Sequence, residues 1–301
     1  MQYSEAKRNA ARILADAGIE EAEVDAEYLL FKASGLKRST LFVKLFEEMP
    51  KIEEETYREL IDRRSTHEPL QYILGSQNFM GYDFKVTPDV LIPRFDTEIL
   101  AELAVKRLLE LKDEKQAVSL LDLCTGSGCV AVSVGLKAAP EFEKISVFGT
   151  DISEAAVKVA RNNYEANVTE EDLKSLQERF FVSDLFENIE GCFDMITANP
   201  PYIVRDEIRD LMPEITEHEP YLALDGGNDG MDFYRRICEA APGYLKRGGR
   251  LLMEFDDSQA EPVRYMMEKA GFVDIEVHRD LAGLRRVIEG VSNNVRENRG
   301  A

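Results

Sequence analysis

Val118-Ser119-Leu120-Leu121-Asp122-Leu123-Cys124-Thr125-Gly126-Ser127-Gly128 joins a short apolar run to a glycine turn. The run reads as a buried β-strand, and the turn hands the chain to an apolar helix over 130–139. The same unit then recurs. Strands are predicted at 145–150, 180–182, 193–198 and 250–255, with a closing antiparallel pair at 272–278 and 284–289. Helices are predicted after Ser153, carrying Ala156, Val159 and Ala160, and over 232–245 and 258–270. Alternating strands and helices are the pattern of an α/β fold with a doubly wound, mostly parallel seven-stranded sheet.

Upstream the pattern differs. Residues 1–75 carry apolar side chains at helical spacing (Ala11, Leu14, Ala17, then Val24, Tyr28, Phe31), with Gly18 and Gly35 as stops. Ser39 is a candidate cap for a segment over 41–46, and 53–64 reads as an amphipathic helix. This predicts a small N-terminal helical domain, which either docks a partner or caps the larger domain. Residues 76–96 read as a hairpin and connector, with Phe79, Tyr82, Phe84 and Val86 around Met80-Gly81. The α/β domain is expected over 97–291, opening with a helix that Thr97 could cap. Residues 292–301 read as a polar tail.

Composition narrows the classes. The formal net charge of −20 argues against broad attachment to nucleic acid, which depends on Lys and Arg contacts to phosphate. No direct nucleic-acid partner is expected. No run of eighteen apolar residues exists, and residues 1–8 lack an apolar signal core, so neither a membrane span nor secretion is expected. The four cysteines have no C-x-x-C spacing and there are three histidines. Free thiols, no metal and a cytoplasmic setting are therefore expected.

Four predicted strand ends carry the polar residues from which a site can be built. In an open α/β sheet that edge is where ligands bind. Cys124 to Gly128 end the first strand; glycines there let a ligand approach the backbone closely. This G-x-G lacks the third glycine of the dinucleotide fingerprint. Asp151 ends the second, where a carboxylate can accept two ribose hydroxyls or simply sit at a helix N-terminus. Asp184 ends the third, where an adenine amino group could be met. Ala198-Asn199-Pro200-Pro201-Tyr202 ends the fourth. Proline lacks an N–H and cannot continue a ladder, so Asn199 is held in a stiff turn with an aromatic ring three residues on. Alone, that turn reads equally well as a surface turn. The ordered series of strand ends favours a ligand site.

This pattern resembles the class I S-adenosylmethionine-dependent methyltransferases. Asn-Pro-Pro-Tyr, like its Asp-Pro-Pro-Tyr variant, is typical of those that methylate a planar amide or amino nitrogen. The resemblance extends through Pro69-Leu70-Gln71-Tyr72-Ile73-Leu74-Gly75, Leu91-Ile92-Pro93-Arg94, Thr97-Glu98, Asp151-Ile152-Ser153, Ser183-Asp184-Leu185-Phe186 and Glu219-Pro220 with Gly226-Gly227 and Asp229-Gly230. Over about residues 63–290 the chain is similar to the HemK/PrmC family, the peptide chain release factor glutamine methyltransferases.

The resemblance implies S-adenosylmethionine as methyl donor and, as acceptor, the glutamine of the Gly-Gly-Gln loop of class 1 release factors. It implies that Cys124, Thr125, Gly126, Ser127, Gly128, Asp151, Asp184 and Leu185 contact the donor, with Asn199 facing donor and acceptor alike. It implies that Asn199, Pro200, Pro201 and Tyr202 hold the glutamine. Asn199, Pro200 and Tyr202 are the catalytic candidates. The helical front end would grip the release factor, and a monomer is expected. The chain departs from the family pattern at Phe95-Asp96, at Cys124 where glycine is usual, and at Phe255-Asp256-Asp257 after Glu254.

Three other readings share some of these residues. An adenine-methylating DNA enzyme would flip its base into the same pocket. A second possibility is an enzyme acting on another protein's glutamine or on an RNA amine. A third is an inactive fold kept for binding, which would have no need of Asn199-Pro200-Pro201-Tyr202.

Overall fold

The computed structural model describes residues 1–293, and the chain divides into two compact units. One holds residues 1–76 together with 211–219; the other holds 77–210 and the chain from 220 onward. Residues 294–301 of the predicted polar tail lie outside the described residues. Ser292, placed in that tail by the sequence, is instead the last residue of a strand and pairs with Phe272.

The first unit is helical: α1 (Tyr3–Asp16), α2 (Ala22–Ser34), α3 (Arg38–Lys44), α4 (Lys51–Ser65) and α5 (Leu70–Leu74). Helix α1 buries Tyr3, Ala6, Ala10 and Leu14, one helical stripe. Helix α2 ends at Gly35, whose φ of 63° few other residues adopt at low cost. Its buried face is not the predicted one. Ala22, Asp25, Ala26, Leu29 and Leu30 face the core, while Val24 and Tyr28 are exposed. That face carries the apolar stripe Ala22, Ala26, Leu29 and Leu30, and the one acid within it is paired. Arg64 of α4 bonds Asp25 at 2.7 Å and Glu214 at 2.5 Å. Once paired, Asp25 can be buried, and α2 is turned accordingly. Ser39 lies inside α3 rather than capping it.

In the second unit, β1 (Ser76–Phe79) and β2 (Tyr82–Lys85) form a hairpin. Its two-residue turn has φ of 51° at Met80 and 89° at Gly81, the left-handed pair that suits the strand twist. Residues 77–96 are more than a connector. Phe79 and Phe84 are buried in the same core as Leu100, Leu120 and Val130.

Next come α6 (Phe95–Leu109), β3 (Ala117–Leu123), α7 (Cys129–Ala138), β4 (Lys144–Asp151), α8 (Glu154–Asn167), β5 (Leu176–Val182) and β6 (Phe193–Ala198). The helix α9 (Pro213–His218) falls in the first unit. The second unit resumes with α10 (Asp232–Ala240), β7 (Leu245–Glu254), α11 (Ala260–Lys269), β8 (Phe272–Arg279) and β9 (Arg285–Ser292). The seven-stranded sheet runs β5-β4-β3-β6-β7-β9-β8, and only the pairs made by β9 are antiparallel.

Side-chain alternation along β3 shows how the sheet is sandwiched. Val118 and Leu120 join the core formed with α6, α7 and α8. Leu121 and Leu123 join the core formed with α10 and α11. The predicted turn at Gly248-Gly249 is instead a bulge within β7, where pairing slips between Phe193↔Leu245 and Met195↔Arg250. A Cβ on Gly249 would lie 2.9 Å from the Lys246 carbonyl oxygen, so glycine is needed there.

Candidate active site

Strand order reverses direction at β3: the chain goes to β4 on one side and later to β6 on the other. That switch point opens a crevice at the carboxyl ends of the strands. A cleft there is lined by Cys124, Thr125, Gly126, Ser127, Asp151, Asp184, Leu185, Asn199 and Pro201. The structure thus brings together residues predicted from four strand ends. Gly128, Pro200 and Tyr202 do not line the cleft.

The glycine turn is built from backbone geometry. Cys124 has φ 55°, Gly126 φ 53° and Gly128 φ 78°. Cys124 is a side-chain residue in the left-handed region. Gly128 passes so close to α8 that a Cβ would lie 3.0 Å from that of Ala160. Asn163 of α8 secures the turn. Its Nδ2 donates to the Ser127 carbonyl at 2.9 Å and to the Lys85 carbonyl at 3.0 Å, while its Oδ1 accepts from the Lys85 N–H at 2.7 Å. One buried amide therefore ties the hairpin to the glycine turn. After the end of β5, Leu185 also has a positive φ, 50°. The Ser183 hydroxyl holds that turn by donating to the Leu185 carbonyl at 2.8 Å.

Three carboxylates border this half of the cleft. Asp151 accepts from the Gly126 N–H and the Ser153 N–H, both at 3.0 Å. Burial raises its pKa against those bonds. Asp122, near the end of β3, accepts from the hydroxyls of Thr125 and Thr197, each at 2.7 Å, and burial pushes it up to about 6. Asp184 differs: Arg236 of α10 pairs with it at 2.8 Å.

The acceptor half is organised around Asn199. Its Nδ2 donates to the Thr97 hydroxyl at 3.1 Å. Thr97 is not a cap; α6 begins at Phe95, and Thr97 is buried in its first turn. Ala198 pairs with Met253 in parallel register, so the next residues, Asn199 and Glu254, lie side by side. Glu254 is only 3% exposed. Its Oε2 has no hydrogen-bond partner, and the nearby Thr97 and Asn199 side chains favour its charged form. Burial pushes Glu254 up to about 7; nearby Asp96 adds to this and Arg286 opposes it.

Tyr202 packs against the core that holds α10 and α11, and burial raises its hydroxyl pKa. Its backbone is clamped by the loop that precedes α10. Ile203 N–H donates to the Leu224 carbonyl at 3.0 Å, and Gly226 N–H to the Ile203 carbonyl at 2.9 Å. A Cβ on Gly226 would fall 2.7 Å from the Tyr202 backbone, and one on Gly230 2.5 Å from the Tyr202 oxygen. Gln259 Nε2 donates to that same oxygen at 2.8 Å and to the Gly230 carbonyl at 3.3 Å. The departure at Asp256-Asp257 leaves Gln259 in place, because Asp256 and Gln259 form a reciprocal capping box.

Several cleft or supporting residues were given no site role from the sequence: Asp122, Arg236, Glu254, Gln259, and Asp89 to Leu91 with Pro93 and Arg94. Asp122 and Glu254 carried a signal, since each is an acid embedded near the end of an apolar strand. Arg236 carried none. Among the described residues one acid–histidine group has ligand spacing, Glu276, His278 and Glu289. None of the three lines the cleft, and Arg107 and Arg250 already pair with Glu289.

The cleft suits S-adenosylmethionine by its donor set. Asp151 keeps spare lone pairs for two hydroxyls, Leu91, Ile152, Ala156, Leu185 and Phe233 offer apolar walls, and Asp122 and Asp151 supply negative charge. Comparison with known proteins places the chain in context. Residues 5–75 match the PrmC N-terminal domain and residues 101–227 the methyltransferase small domain. The chain is 42% identical to the release factor glutamine methyltransferase of Geobacter sulfurreducens, over 92% of either chain. It is 44% identical to that of Thermodesulfovibrio yellowstonii, over 82% of this chain and 85% of the relative. It is 38% identical to that of Moorella thermoacetica, over 95% and 97%. With these relatives matching most of its length, the chain belongs to the release factor glutamine methyltransferase family.

Proposed function

We propose that this enzyme transfers a methyl group from S-adenosylmethionine to the side-chain amide nitrogen of the glutamine in the Gly-Gly-Gln motif of class 1 release factors. The observation that carries this reading is the Asn199 amide. Its Nδ2 is engaged by Thr97 while its residue lines the cleft at the switch point, so its Oδ1 is left as an acceptor. When bound, S-adenosylmethionine supplies an electrophilic methyl group. The protein has to orient a poor nucleophile, because an amide lone pair is delocalised into its carbonyl.

Asn199 Oδ1 and the Pro200 carbonyl accept the two N–H bonds of the glutamine. Both acceptors favour positive charge building on nitrogen, which is positioning plus preorganised electrostatics. Pro201 stiffens the turn. Tyr202 packs beside the planar amide and excludes water. The proton leaves after transfer, once the nitrogen is cationic and acidic, so no strong general base and no metal is needed. On the donor side Asp151 takes the ribose hydroxyls. Residues 124–128 pass under the donor. Leu185, with Asp184 held by Arg236, borders the adenine. The helical unit over 1–75 docks the release factor, and the enzyme works as a cytoplasmic monomer.

The test combines purified protein, labelled S-adenosylmethionine and an unmodified release factor, followed by peptide mapping. Label on the Gly-Gly-Gln peptide is the expected result. Label on DNA with none on that peptide would overturn the reading.

A further inference from the structure

An asparagine that must accept hydrogen bonds has a problem of symmetry. Its amide is nearly the same shape either way round. One orientation offers an oxygen to the substrate NH2; the other offers a second NH2, which repels it. Some neighbour must choose. The Thr97 hydroxyl cannot choose alone, since a hydroxyl both donates and accepts. A carboxylate only accepts.

We propose that Glu254 is the positioning residue that makes this choice: its carboxylate takes the Asn199 amino group, with Thr97, and so turns Asn199 Oδ1 toward the substrate. The inference rests on the reading that Asn199 holds the acceptor glutamine.

Four observations carry it. The parallel register sets Asn199 beside Glu254 across β6 and β7. Thr97 and Asn199 line the cleft and Glu254 does not, so Glu254 acts through them. Both side chains lie near its carboxyl and favour its charged form, and Oε2 is free to accept. Glu254 is buried to the same degree as the core around it, with Oε2 unpartnered. The charges that bear on it, Asp96 from α6 and Arg286 from β9, act in opposite senses. A buried carboxylate without a close cation is unfavourable, and an apolar residue of similar size would stabilise the strand better. Burial pushes its pKa up to about 7, so the form that only accepts prevails above that pH.

The test reverses the polarity of the contact. Wild type, Glu254→Gln, Asn199→Asp and the double variant are compared with a release factor and labelled S-adenosylmethionine. In E254Q an amide donor replaces the acceptor. We expect kcat to fall about 10- to 100-fold, the range of a hydrogen bond to a charged group, while donor affinity changes less than about twofold. Asn199→Asp sets two carboxylates together and should fall further. In the double variant the new amide on β7 donates and the new carboxylate after β6 accepts, leaving that carboxylate's second oxygen for the substrate. Activity should then recover at least about tenfold over N199D. A merely structural Glu254 predicts no such rescue.

Glu254→Met guards against misfolding. It fills the volume without an acceptor, and should bind donor and melt no lower than wild type yet lose kcat to the same degree. Wild-type kcat in E254Q or E254M, or a double variant no better than N199D, overturns the inference. A wild type inactive on the glutamine brings down the underlying reading, and the inference with it.

Discussion

Two buried acids of the sheet beside the cleft, Asp122 and Glu254, and two away from it, Asp194 and Glu289, are oppositely treated. Asp194, near the start of β6, is 2% exposed. Burial would raise its pKa, but Lys115 and Lys246, each at 2.6 Å, outweigh that and hold it low. Glu289 of β9 is fully buried. There too burial is outweighed, by His278, Arg107 and Arg250, and the carboxyl sits at about 2. At the cleft, burial prevails. Asp122 and Glu254 face hydroxyls and an amide and are raised to about 6 and about 7. Asp194 and Glu289 are neutralised by cations, whereas Asp122 and Glu254 have polar, uncharged side chains as their nearest partners. The difference separates carboxylates that hold the fold from carboxylates that arrange a site.

Removing the group the cleft acids arrange should do the most. Asn199→Ala should lower kcat by about 10² to 10³, as loss of one preorganised hydrogen-bonding group does, with donor binding within about twofold. Near-normal turnover in single-turnover assays would break the distinction.

Asp151→Ala should weaken donor affinity about 10- to 100-fold, by loss of charge-assisted bonds, and titration calorimetry reads it directly. An unchanged affinity would remove Asp151 from the donor site.

Glu289→Ala attacks the other class. It removes the buried carboxylate that Arg107, Arg250 and His278 share, leaving Arg107 only Glu110 and Glu276, and should cost about 3 kcal/mol in denaturant unfolding. The kcat of the folded fraction should stay within about twofold. A large kcat loss there would blur the two classes.

The last effect is one of sign. Glu254 has a folded pKa raised from 4.5 to about 7. The folded state therefore holds the proton more tightly than the unfolded chain. Stability from this group is full below pH 4.5 and is lost as pH rises through about 7, by up to about 3 kcal/mol. Glu289, lowered from 4.5 to about 2, runs the other way. Its contribution is full above pH 4.5 and is lost as pH falls through about 2. Unfolding curves of E254Q and E289Q should each lack one slope and keep the other. Matching slopes in both would refute the comparison.

Most of the sheet was legible in the sequence because strand and helix periods alternate from Ala117 onward. Asn199 was legible because two prolines end an apolar strand. Its anchors were not. Thr97 lies 102 residues away, and its apolar-rich surroundings suited a helix cap equally well. Glu254 was visible only as an acid in an apolar run, and nothing local says which strand lies beside it. The buried face of α2 was misread because Asp25 looks like a surface residue until Arg64 is placed next to it. Gly248-Gly249 signals a break, and only the pairing partner makes it a bulge. In each case a residue distant in sequence decides, and local pattern cannot name it.

The clamp on Tyr202 sets an order of assembly. Apart from Asn199, every strand-end residue assigned to the donor lies between positions 124 and 185, within consecutive strands. The acceptor turn at 199–202 has one anchor upstream, Thr97, but is clamped from downstream by Gly226, Gly230 and Gln259, the last of them 57 residues beyond Tyr202. During synthesis from the N-terminus, the strand ends that carry the donor residues are made before the clamp on the acceptor turn, which is complete only after β7, at Gln259. The clamp on Tyr202 is thus among the last parts of the site to be synthesised.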